Sequence, residues 1–208
     1  ALGEIEALAD TVSASGILDR MPDANALAAI RDGYAAIALS GTPGAKMFTD
    51  KMLNNFMYCG LIARAFPSAR IVHMVRNPLD NIMSIYRNYF VTGNEFAYDL
   101  DEITACYDGQ MRMMSVWKER YGDTIYTCDY DRLVSDPAQW IPELVAFCGF
   151  DWDDMYLEPH RNRRAVKTAS MDQVRQPIYG TSVKCWKKYE MHLQPVADRL
   201  RKLGYAID

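Results

Sequence analysis

The chain has 208 residues, half of them hydrophobic and 24% charged, which suits one sizeable globular domain. A formal net charge of −4 argues against a general nucleic-acid binder, and no apolar run is long enough to span a bilayer. The cysteines (Cys59, Cys106, Cys128, Cys148, Cys185) are odd in number and form no CxxC pair, which excludes a disulfide framework and fits a reducing cytoplasm.

The chain opens Ala1-Leu2-Gly3-Glu4, without methionine or a signal-peptide pattern, and reads as starting in the middle of something. Glu4 to Ala14 is predicted as a helix with Ile5, Leu8, Ala9 and Val12 on one face. Asp23 caps a second helix from Ala24 to Leu39. Ser40–Lys46 superficially resembles a phosphate-binding glycine loop. It follows a helix rather than a strand, and Pro43 removes an amide donor, so it reads as a plain turn. Met47-Phe48 is predicted as a short strand, Asn54–Phe66 as a helix, and Ile71–Val75 as a strand covered on both faces. Helices follow over Pro78–Phe90 and from Leu100 or Asp101 to Arg120. Then come a strand over Thr124–Cys128 and a helix from Asp136-Pro137 through Cys148. Asp151–Tyr179 is loop-rich, and a last helix runs from Trp186 to Leu203. This alternation predicts an α/β layered fold with a parallel sheet, in a single domain spanning 1–208.

The most informative stretch is ARIVHMVRNPLDNIMS, Ala69 to Ser84. An apolar strand ends in Arg76, Asn77 is a good N-cap, and Pro78 suits the first helical position. Helix N-termini attract anions, and ligands bind beyond the carboxyl ends of parallel strands. Arg76 and Ser84 are eight positions apart (84 − 76). Two readings of these residues stay open: an anion pocket, or a plain crossover whose Arg76 pairs with a surface carboxylate. From His160 to Glu190, eight basic residues face only Asp172 and Glu190, which suggests either a solvated face or a steering field for an anion. His73, His160 and His192 lack metal-ligand spacing, so no metal is expected. His73 reads as a satisfied core residue, and Cys59, Cys106 and Cys148 as core thiols.

TDKMLNNF (Thr49–Phe56), ARIVHMVRNPLDNIMSIYR (Ala69–Arg87), YDRLVSDP (Tyr130–Pro137), FCGFDWDD (Phe147–Asp154) and RAVKTASMDQVRQPIYGTSVKCWKKYE (Arg164–Glu190) occur in this order. Together they resemble the bacterial sulfotransferases, relatives of the tyrosylprotein sulfotransferases. The resemblance implies a P-loop-NTPase-like three-layer fold with a central parallel sheet. Its N-terminal strand and 5′-phosphosulfate loop are absent from the visible chain. It implies 3′-phosphoadenosine 5′-phosphosulfate as sulfuryl donor, with no metal, and a small-molecule or peptide hydroxyl as acceptor. Nucleic acid and membrane are not expected as partners, and a cytoplasmic location is. Arg76 and Ser84 match the pair that grips the donor's 3′-phosphate. Tyr130 matches the tyrosine near the adenine, and Lys51 the lysine beside the bridging oxygen. Ser170 matches a serine near the transferring group, and Glu4 resembles the catalytic base of the tyrosylprotein branch. Relatives usually carry a basic residue where this chain has Cys185, and Lys184 or Lys187 would take its place. The alternatives are a non-catalytic nucleotide-binding module of the same descent and a P-loop small-molecule kinase. The kinase needs a complete glycine loop and a Mg²⁺-binding carboxylate, and the visible chain has neither.

Overall fold

The computed structural model describes residues 6–16, 21–40, 44, 47–90, 93–162 and 175–207. Glu4 and Ser170, both expected at the catalytic centre, lie outside the described residues, as does most of the Ser40–Lys46 loop.

Two strands form a parallel pair, β1 (Ile71–Val75) and β2 (Ile125–Asp129), in the register Ile71↔Ile125, His73↔Thr127 and Val75↔Asp129. Parallel neighbours need a crossover, which here contains α4 (Pro78–Tyr86) and α5 (Leu100–Tyr121). Both helices start on side-chain caps. Asn77 Oδ1 accepts the N–H groups of Leu79 (3.0 Å) and Asp80 (3.2 Å), and Asp99 Oδ1 accepts those of Asp101 (2.8 Å) and Glu102 (3.0 Å). Such caps contribute about 1 kcal/mol each.

Alternation along the strands sends Ile71, His73, Ile125 and Thr127 to one face and Tyr126 to the other. α5 covers the first face. Gln110 Nε2 meets His73 Nε2 at 2.8 Å, Lys118 Nζ donates to Thr127 Oγ1 at 2.9 Å, and Met114 packs with Ile125 and Cys59. Burial and the Lys118 charge hold the His73 imidazole below its usual pKa, consistent with a satisfied histidine against the sheet. α7 (Pro137–Phe147) covers the second face, where Phe147 lies 5.3 Å from the Tyr126 ring. Helix, sheet and helix thus form three layers.

A larger apolar cluster lies beside the sheet. Leu79 and Ile82 of α4, Ile103 of α5, Trp186, and Leu193, Val196, Ala197 and Leu200 of α8 (Glu190–Lys202) are all buried together. Each large side chain there contributes about 1.5–3 kcal/mol through burial. A separate cluster joins α1 (Ala7–Ser15) and α2 (Ala24–Ser40), with Leu61 and Ile62 of α3 (Cys59–Ala65) against it.

Several expectations are corrected. Met47-Phe48 is not a strand: residues 47–52 have no regular structure, and among the described residues no strand pairs with them. The helix expected over Asn54–Phe66 divides into a 3₁₀ segment, Leu53–Tyr58, and α3. The helix begun at Pro78 stops at Tyr86, not Phe90. The last helix is a 3₁₀ segment, Cys185–Tyr189, followed by α8. A short helix missed in the sequence, α6 (Tyr130–Ser135), follows β2, and Asp129 Oδ1 caps it by accepting the Arg132 N–H (3.1 Å). β1 is not covered on both faces along its length, because Met74 is 50% exposed. Cys106 is exposed rather than a core thiol, because Ile103 and Tyr107 take the inward places on that turn of α5.

Candidate functional site

Arg76 directly follows β1, and its side chain is only 19% exposed. One guanidinium nitrogen, Nη2, donates to the Ser182 carbonyl and lies 4.0 Å from Asp80 Oδ2. Nε lies 3.9 Å from Asp131 Oδ1, and both atoms are buried without a hydrogen-bond partner. Below the guanidinium is the Tyr130 ring, 5.1 Å from Cζ to the centroid. Tyr130 also exchanges a hydrogen bond with Ser182 through its hydroxyl, at 2.9 Å. The chain ends of both strands therefore meet one segment, 106 residues downstream of Arg76 and 52 downstream of Tyr130.

That segment is fastened by Asp80. This carboxylate sits in the first turn of α4 and is 2% exposed. Its Oδ2 accepts the Lys184 N–H at 2.6 Å, and its Oδ1 accepts the Trp186 N–H at 2.8 Å. Trp186 is buried in the large core cluster, so the segment is anchored from both sides. Asp131 makes a comparable tie by accepting the Asn77 N–H at 2.9 Å, which fixes β2's end to the α4 cap. Both carboxylates near Arg76 thus have oxygens occupied by backbone amides.

Of the residues expected to hold the donor nucleotide, Arg76, Tyr130 and Lys184 are brought together here. Lys184 is exposed, and its backbone joins the cluster through Asp80. Ser84 lies on the same α4 face, one turn beyond Asp80. Arg87, one turn further, stacks over Tyr189 at 5.9 Å, so the Asp80–Ser84–Arg87 face runs along the 184–189 segment. Ser84 itself is exposed. Cys185 Sγ donates to the Thr181 carbonyl at 2.9 Å, which makes it part of the turn's own bonding.

Lys51 belongs to another neighbourhood. It precedes the Leu53–Tyr58 segment and is largely exposed, and desolvation holds its ammonium below the ordinary lysine pKa. Its neighbour Asp50 ties this stretch to α2 by accepting the Tyr34 hydroxyl at 2.9 Å. Tyr34 is buried and faces that carboxylate, so its phenol pKa is pushed well above the usual value.

Sequence reading missed Asp80, Asp131 and Ser182. Asp80 carried a usable signal: an acidic residue at i+4 from Arg76, within the first turn of a helix that is otherwise apolar on its inner face. Ser182 carried none, because its proximity to Arg76 is purely tertiary. Among the described residues, no group of three or more His, Cys, Asp or Glu side chains is arranged to hold a metal ion. No described helix is long and apolar enough to cross a membrane.

The arrangement is a guanidinium at the carboxyl end of a parallel strand, beside a helix N-terminus and backed by an aromatic ring. It is suited chemically to a phosphate monoester attached to a flat base. The solved sulfotransferase domain from the curacin biosynthetic pathway superposes with a TM-score of 0.58 at 15% identity. The match covers 98% of this chain and 80% of that one, a likeness of fold. That fold is the P-loop-like α/β arrangement of sulfotransferases. An uncharacterized protein of Aquifex aeolicus (strain VF5) is 40% identical over 156 residues, 74% of this chain. The chain spans only 20% of that relative's length. A sequence model of the Sulfotransferase family matches residues 24–154, more than half of the chain and the part that carries Lys51, Arg76, Ser84 and Tyr130, and the chain accordingly belongs to the sulfotransferase family.

Proposed function

We propose that this chain binds 3′-phosphoadenosine 5′-phosphosulfate and serves transfer of its sulfuryl group to a hydroxyl or phenol acceptor. The observation that carries the reading is the Arg76 cluster. It offers a largely buried guanidinium, fixed by the Ser182 carbonyl and stacked on Tyr130. The donor set fits a 3′-phosphate. Arg76 has a buried Nε lacking a hydrogen-bond partner, Ser84 adds a hydroxyl on α4, and Lys184 an exposed side chain on the turn that Asp80 holds. Asp80 and Asp131 would oppose an anion, but backbone N–H groups already neutralise part of their charge.

The donor supplies the sulfuryl group; the chain's residues position it and manage charge and protons. Arg76, Ser84 and Lys184 hold the 3′-phosphate, and Tyr130 lies near the adenine. Lys51 meets the negative charge that grows on the leaving phosphate oxygen as the bond from sulfur to that oxygen breaks. Its lowered pKa fits a desolvated lysine in such a place. Ser170 hydrogen-bonds the same region. Glu4 takes the proton from the acceptor hydroxyl as its oxygen bonds to sulfur. A small-molecule or peptide hydroxyl is the acceptor class, and the cytoplasm the proposed compartment.

The test is direct. Calorimetry should show adenosine 3′,5′-bisphosphate binding to the protein. Labelled sulfate should pass from the donor to a phenol acceptor. Arg76→Ala should raise the donor KM about tenfold to a hundredfold, the worth of a charge-assisted phosphate contact. Unchanged donor kinetics in that variant would sink the site. Binding with no turnover against a broad acceptor panel would make the chain a nucleotide-binding module instead.

A further inference from the structure

Asp80 has no role in the chemistry proposed above, yet it is the most deeply buried acidic residue described, at 2% exposure. An ionised carboxylate is costly to bury unless its oxygens are satisfied. Here both are satisfied by backbone N–H groups of one remote turn, those of Lys184 and Trp186. The same turn is gripped twice more, by Arg76 Nη2 on the Ser182 carbonyl and by the Tyr130 hydroxyl on Ser182 Oγ. Between these fastenings Lys184 adopts φ 58°, the left-handed region that L side chains rarely enter. A strained residue persists only where its surroundings over-determine it. Asp80 supplies two of the hydrogen bonds that do so.

We infer that Asp80 is a positioning residue for the 3′-phosphate pocket, holding the 182–186 turn against Arg76 so that selectivity for 3′-phosphorylated nucleotides depends on it. The inference rests on the proposed function and adds a residue to that site. Asp80 itself touches no ligand: its two oxygens are already engaged by amides. Its effect reaches the phosphate through where Lys184 and the Ser182 carbonyl are held. Asn at this position keeps the shape but presents an NH₂ to one of the two backbone donors, so one fastening is lost and a donor is left unpaired.

The test compares adenosine 3′,5′-bisphosphate with adenosine 5′-monophosphate, which lacks the 3′-phosphate, by calorimetry on the full chain. Wild type should favour the bisphosphate. Asp80→Asn should lose about tenfold to a hundredfold in bisphosphate affinity and leave the monophosphate affinity unchanged. In an Arg76→Ala background the same change should cost less, because both residues act on one pocket. Equal affinities in Asp80→Asn and wild type would overturn the inference while leaving the proposed function intact. Parallel losses for both nucleotides would overturn it too, marking Asp80 as a general structural residue. A wild type indifferent to the 3′-phosphate would overturn the proposed function first, and this inference with it. If Asp80→Asn does not fold, hydrogen exchange on wild type decides. The Lys184 and Trp186 amides should gain protection with the bisphosphate and not with the monophosphate, and no such difference would overturn the role.

Discussion

At the scale of single residues, Lys184 shows how this site is held. Its φ of 58° is the only positive value among non-glycine residues described. The left-handed region costs an L residue about 1–2 kcal/mol, and glycine escapes that cost while losing some unfolded-state advantage. Lys184→Gly is therefore expected to stabilise the fold by roughly 1 kcal/mol. Urea denaturation would read this as a higher midpoint at unchanged slope, and a lower midpoint would mean that the lysine's stem contributes packing worth more than the strain. The sequence could not reveal this conformation, since nothing in SVKCW announces a left-handed residue. Arg76 was legible for the opposite reason. A β-branched run ending in Arg, then Asn-Pro, fixes strand end, cap and helix start by local rules alone. The partners that hold Arg76 in place, Asp131 and the Ser182 carbonyl, lie 55 (131 − 76) and 106 (182 − 76) positions away. No local rule reaches that far.

At the scale of elements, the same division holds. β1 is Ile71–Val75 as read, and α5 begins and ends within a residue of its expected bounds, because each carries its own period and cap. The 47–58 stretch was misread in both halves. Apolar Met47-Phe48 pairs with no strand among the described residues, and the following segment winds as a 3₁₀ turn before α3 begins. Packing decides that register. Trp117 of α5 donates its indole N–H to the Phe56 carbonyl at 2.9 Å and so lays its ring over α3. A Cβ on Gly60 would stand 2.5 Å and 2.8 Å from two carbons of that ring. The ring is held by its hydrogen bond and cannot simply swing away. Gly60→Ala is thus expected to cost about 1–3 kcal/mol, as overpacking does, despite alanine's better helix propensity. Chemical denaturation would check it. A neutral or stabilising result would mean that α3 and α5 slide apart freely. A Gly60→Ala/Trp117→Phe pair should recover part of the loss, because the smaller ring vacates the contested space.

At the scale of the whole molecule, charge is divided rather than balanced. From His160 to Glu190 the sequence carries +6 (8 − 2), leaving −10 (−4 − 6) on the rest. Lys184, Lys187 and Lys188 of this region are exposed beside the Arg76 cluster's downstream turn. A polyanionic nucleotide approaching an acidic protein would otherwise be repelled, so the basic region is expected to act on association. The size follows from Coulomb's law. Two unit charges about 10 Å apart in water interact by about 0.4 kcal/mol. Lys188→Glu changes the charge by two; against a phosphate dianion at about that distance the shift is about 1.7 kcal/mol unscreened. One Debye length, about 10 Å at 0.1 M salt, reduces it to about 0.6 kcal/mol, or about threefold in rate. Stopped-flow binding of adenosine 3′,5′-bisphosphate should therefore show Lys188→Glu associating about threefold more slowly near 0.1 M salt, with dissociation little changed. Near 1 M, where the Debye length is about 3 Å, the two rates should converge. Arg76→Ala should behave in the opposite way: its contact is short and partly desolvated, so it should speed dissociation and persist at high salt. Equal association rates for Lys188→Glu and wild type at every salt concentration would reduce the basic region to a solvated face.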